Sequence, residues 1–143
     1  MFDIKKLSIT DSGKYHVTDA KGDPQYDDAG NAITITLASP GTKKAAQAQF
    51  KRDQLRSARV LGEMGGKTSK RQEIDERTER AGFLADITES LDWFDFPGGP
   101  KALYMDLTVG HIADGVEKYY NDRGNFSADS LTTSSSTSAT QPG

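Results

Sequence analysis

Few residues in this chain could carry chemistry, and their spacing does not suit it. Gly62-Glu63-Met64-Gly65-Gly66-Lys67-Thr68 holds the glycines, lysine and hydroxyl of a phosphate-binding loop. A P-loop needs four residues between its first glycine and the Gly-Lys pair, and it follows a buried strand. Here three residues separate Gly62 from Gly66 and a polar helical stretch precedes them, so the segment reads as a hinge between helices. The two histidines, His16 and His111, stand far apart, with no cysteine and no paired carboxylates beside them. Neither a zinc site nor an acid–base dyad is expected from them. His111, at a helix start beside Asp114, reads as a solvated residue. The acidic run Glu73, Asp75, Glu76 and Glu79 matches no calcium loop and reads as a solvated helix face near a positive helix N-terminus. No catalytic residue, cofactor or metal ligand is assigned, and the chain is expected not to be an enzyme.

What the sequence offers instead is charge pattern and aromatic surface. Residues 43–71 hold 9 basic and 2 acidic groups, while residues 72–96 hold 2 basic and 8 acidic ones. Adjacent blocks of opposite sign predict two elements that attract each other, within one chain or between copies. Lys51, Arg52, Arg56 and Arg59 are therefore candidate partner-binding residues. Lys and Arg also give sequence-independent affinity for phosphates. Against nucleic acid stand the overall charge of −3, the lack of aromatics other than Phe50 between the basic residues, and the lack of a helix-turn-helix pattern. Trp93, Phe94, Phe96, Tyr104, Tyr119 and Tyr120, with Phe126, form a second group. Core packing is the first reading of these aromatics and a partner-binding patch the second.

The elements that must position these groups follow from periodicity. The 143 residues, 34% of them hydrophobic, fit one small core. The fold class expected is α+β, mostly α, in a single domain over residues 1–126. Tyr15-His16-Val17-Thr18 and Ile33-Thr34-Ile35-Thr36-Leu37 predict a β-hairpin over about residues 14–38, joined by a long irregular loop. A polar helix over about 43–61, capped from Ser39-Pro40-Gly41-Thr42, carries a thin apolar stripe of Ala45, Ala46, Ala48, Phe50, Leu55, Ala58, Val60 and Leu61. Ser69 and Gln72 match a capping box that opens a second helix over about 70–91, in which Ile74, Ala81, Leu84, Ala85, Ile87 and Leu91 recur at helical spacing. Pro97-Gly98-Gly99-Pro100 forces a turn. A short helix over about 101–106 and a last one over about 108–123 follow, with Thr108 as its cap and Gly124 as a left-handed terminator. Residues 127–143, rich in Ser and Thr, are expected to form a disordered tail. Without an apolar run at the start or 18 consecutive apolar residues anywhere, neither a signal peptide nor a membrane span is expected, and the protein should be intracellular.

Taken in order, a strand ending Ile33-Thr34-Ile35-Thr36-Leu37, a Ser-Pro-capped helix rich in Ala, Gln, Lys and Arg, a second helix ending Leu91-Asp92-Trp93, a Gly-Pro turn, and the closing segment from Ala102-Leu103-Tyr104-Met105-Asp106 through Ile112-Ala113-Asp114-Gly115-Val116-Glu117 to Asn125-Phe126 form a recognisable set. Over about residues 30–126 this set resembles the tail assembly chaperones of phages with long non-contractile tails. Leu107 departs from the family pattern, which often has proline after the aspartate that follows Leu-Tyr. The resemblance implies a non-catalytic oligomeric protein of the host cytoplasm during infection, one that binds the tape measure protein, recruits tail tube subunits and leaves before the virion matures. It also implies a second, longer product made by frameshifting near the tail. The alternatives are a minor tail or head-tail joining protein retained in the virion, and a small nucleic-acid-binding regulator.

Overall fold

The computed structural model describes residues 2–64 and 69–127; most of the segment expected to be a hinge, at 65–68, and the tail expected at the end of the chain, from 128 onward, lie outside these. The fold is α+β and mostly α, as the periodicity implies. Strands β1 (Ser12–His16) and β2 (Thr34–Ala38) form an antiparallel hairpin with Gly13 opposite Leu37 and Tyr15 opposite Ile35. Their connection is regular, not irregular as expected. It consists of two turns of one design, Asp19-Ala20-Lys21-Gly22-Asp23 and Asp27-Asp28-Ala29-Gly30-Asn31, flanked by the bridges Thr18–Pro24 and Tyr26–Ala32. In each, the leading Asp Oδ1 accepts the amides two and four residues on, at 2.9 and 3.0 Å in the first turn and 2.9 and 2.8 Å in the second. Gly22 and Gly30 supply the φ values of 94° and 88° that close them.

Helix α1 (Lys43–Met64) begins where Thr42 Oγ1 accepts the Ala45 amide at 3.1 Å, so the expected Ser-Pro-Gly-Thr cap is used. It runs on through Gly62, past the expected end at residue 61. One glycine costs a helix only about 0.5–1 kcal/mol, too little to stop it alone. Helix α2 (Ser69–Ile87) ends four residues before the expected limit of 91, because Thr88–Asp92 forms a third strand, β3. The side chains of the Ser69–Gln72 box and of Ile74 lie outside the described residues. The helical spacing of Leu84, Ile87 and Leu91 hides the change of element. Pairing decides it: β3 lies antiparallel to β2, with Leu91 opposite Ile35 and Asp92 opposite Thr34, giving the order β1-β2-β3.

Gly98 and Gly99, at φ of 88° and 81°, turn the chain into helix α3 (Gly99–Met105), which carries Pro100 in its first turn. The last helix, α4, spans Gly110–Asn121. Thr108 does not cap it: its amide and hydroxyl both donate to Asp106 Oδ1, at 2.9 and 2.7 Å, closing a 3-10 turn over Leu107–Val109. Nor is Gly124 a left-handed terminator. It lies without a positive φ inside a further 3-10 turn, Arg123–Phe126, where it donates to Asp122 Oδ1 at 3.0 Å.

One face of the sheet, through Ile35 and Leu37, packs into a single core with Leu84 and Ile87 of α2, Leu103 and Tyr104 of α3, Ile112 and Val116 of α4, and Phe126. Glycine permits the closest approach of α4 to β1. A Cβ on Gly115 would meet the Tyr15 hydroxyl and come within 2.8 Å of its ring carbon Cζ. Tyr15 itself is braced edge-on against Tyr119, with ring centroids 5.9 Å apart. Overpacking of this kind costs about 1–3 kcal/mol and the alanine gains the helix about 1 kcal/mol. Gly115→Ala should therefore destabilise the fold by about 1–2 kcal/mol in urea unfolding, whereas a stabilised variant would show that Tyr15 is free to swing away.

Candidate protein-binding surfaces

The basic and acidic blocks meet within one chain. Arg59 Nε donates to Glu79 Oε2 at 2.5 Å, and its Nη1 reaches Glu76 Oε1 at 3.3 Å. The Arg59 and Glu79 side chains are only 11% and 7% exposed. Arg56 lies 3.9 Å from Glu79, Lys51 lies 3.6 Å from Asp86, and Arg52 reaches Glu117 of α4 at 3.5 Å while its guanidinium sits over the Phe83 ring. Of the four basic residues expected to face a partner, Arg52 and Arg59 are thus occupied as intramolecular ties. Lys51 and Arg56 stay largely in solvent.

The aromatic group divides in the same manner. Tyr104 and Tyr120 are core residues, while Phe94, Phe96 and Tyr119 are partly buried against that core. Burial pushes the Tyr104 phenol up to about 12, partly offset by its 2.7 Å hydrogen bond with Thr88 Oγ1, and burial also raises Tyr119 and Tyr120. All three are therefore neutral at physiological pH. Trp93 is the exception, exposed to solvent. His111 corrects another expectation. It is half-buried, and its Nε2 donates to the Thr18 carbonyl at 3.0 Å, tying α4 to the hairpin connection. His16 does the same for Gln25 at 2.8 Å.

The apolar stripe expected on α1 is two stripes. Ala45 and Ala48 are buried, but Phe50 and Leu61 are 64% and 70% exposed, and Leu55 and Val60 also stand open. At about 100° per residue, Phe50, Gln54, Ser57 and Leu61 form one row roughly opposite Ala45, Ala48 and Arg52. Two large apolar side chains then lie along one outward face, about three helical turns apart and separated by polar residues, with Lys43 on the same face and Lys51 next in sequence to Phe50. The sequence held the signal: the small alanines, not the large residues, share a face with the arginines that are tied to α2 and α4. Among the described residues no helix is long and apolar enough to cross a membrane. No family model matches the chain, and no curated protein or solved structure matches it either.

Proposed function

We propose that this chain is a non-catalytic tail assembly chaperone whose client, an amphipathic helical segment of the tape measure protein, docks on the outer face of α1. The supporting observation is the exposed row of Phe50 and Leu61 on a long helix whose opposite side is committed to α2. Exposed anchors at helical spacing suit a partner helix that brings its own apolar stripe. Lys43 and Lys51, at the Phe50 end of that face, suit acidic residues on the rim of that partner. Recruitment of tail tube subunits and self-association remain part of the same proposal, resting on the family resemblance. The nucleic-acid alternative is weakened because Arg52 and Arg59 already face carboxylates. Retention in the virion is the difference that separates a joining or minor tail protein from a chaperone, and mass spectrometry of purified particles reads it directly.

Co-expression with the tape measure protein encoded alongside it should give a soluble complex. Phe50→Gln with Leu61→Gln should weaken that complex about tenfold or more and leave the melting temperature within a few degrees, since both residues face solvent. A complex that survives both substitutions unchanged counts against the α1 face. No complex with the unaltered chain counts against the function itself.

A further inference from the structure

The solvent face of the sheet holds a polar cluster unconnected with α1. Asp92 Oδ2 accepts from Thr34 Oγ1 and Thr36 Oγ1, each at 2.7 Å, and from Lys14 Nζ at 3.3 Å, while Oδ1 accepts from Ser90 Oγ at 2.7 Å. Lys14 Nζ also donates to Thr36 Oγ1 at 2.9 Å. All three strands thus hold one carboxylate in a fixed orientation. Partial burial opposes its ionisation, but the hydroxyls of Thr36, Ser90 and Thr34 and the Lys14 ammonium together keep it below the usual carboxylate range. Next in sequence is Trp93, 64% exposed and at φ 70°. A residue with a Cβ in that left-handed region gives up about 1–2 kcal/mol, and an indole left in water forgoes its burial. Lys14, Ala32, Thr34, Leu91, Asp92 and Trp93 line one open depression of about 520 Å³.

We propose that this depression binds a neutral saccharide, a sugar ring lying on the Trp93 indole with its hydroxyls shared between Asp92 and Lys14. Charge selects the class. The carboxylate is already balanced by Lys14, so a cationic ligand meets the ammonium and an anionic one meets the carboxylate. A wholly apolar ligand would strip water from both charged groups without replacing its hydrogen bonds. A polyhydroxyl ligand avoids all three penalties. Capacity fits as well: Lys14 uses two of its three ammonium donors, and Asp92 Oδ1, with one partner, can accept another. The indole face supplies the flat apolar surface that the C–H side of a sugar ring covers.

The chain has one tryptophan, so its emission reports on this site alone. The full chain is titrated with maltohexaose, cellohexaose and chitohexaose, and at least one should shift the Trp93 emission saturably. Trp93→Gly, which relieves the left-handed φ and should fold at least as well, should abolish binding by calorimetry. Asp92→Asn with Lys14→Met should weaken it about tenfold or more, the loss of one or two hydrogen bonds to charged groups. The proposal is overturned by the absence of a saturable shift with all three sugars, by undiminished binding to Trp93→Gly, or by tetramethylammonium binding more tightly than any sugar.

Discussion

Phe126→Ala should cost the fold about 3–5 kcal/mol, most of the margin by which a small domain outlasts its unfolded state. Phe126 has no exposed surface and stands edge-on to Tyr119 and Tyr120, at centroid distances of 5.4 and 6.3 Å. It also fills the space above Gly13, where an added Cβ would come within 2.9 Å of its ring. Neighbours drawn from β1 and α4 are rigidly placed and cannot collapse into the vacated volume, so both the transfer and the cavity contributions apply. Urea denaturation followed by circular dichroism measures the effect. Phe126→Leu should recover about half of the loss, because it leaves a smaller void. A loss below about 1 kcal/mol for the alanine variant would mean that the turn over 123–126 is not seated in the core as described.

Glu79→Ala should cost nearly as much, at the lower end of about 3–5 kcal/mol, because it takes away the buried carboxylate paired with the Arg59 guanidinium in a place that water hardly reaches. Arg59 keeps its contact with Glu76, itself 53% exposed, which moderates the penalty without cancelling it. The double change Arg59→Met with Glu79→Leu removes both charges and should restore most of the stability, since buried ion pairs are often no better than apolar groups of similar volume. If the double variant is as unstable as the single one, the seam is held by packing and not by charge. The exposed pairs behave differently. Lys51–Asp86 and Lys14–Asp92, each with a lysine more than half in solvent, should change stability by no more than about 1 kcal/mol when broken.

The hairpin, the capped polar helix and the opposed charge blocks were legible because each depends on local pattern: alternation in Thr34–Ala38, hydroxyls before Lys43, and runs of one sign. β3 was not, because residues 84–91 satisfy a helical and a strand pattern together and only the distant β2 decides between them. The two turns in the hairpin connection are legible in the repeated Asp-x-x-Gly-Asp/Asn spacing, a signal lost when residues 19–32 are taken as one irregular loop. The expected partner residues show the limit most clearly. Arg59 and Phe50 are both conspicuous on α1, yet one is sealed against Glu79 and the other points to water. Hydrophobic count alone assigns them the other way round, and only the buried alanines reveal which side of the helix faces inward.

The carbonyl of Phe126 accepts both the amide and the hydroxyl of Thr10, at 2.6 and 2.7 Å. Two stretches separated by more than a hundred residues are fastened at one point, and the ring on the later stretch completes the interior. During synthesis the earlier portion must wait, unfinished, until the ribosome has released residue 126. The interval before that clasp closes is when the nascent polypeptide is most vulnerable to proteases and to sticking, and the greasy Phe2, Ile4 and Leu7, open to solvent even in the finished fold, add to that exposure.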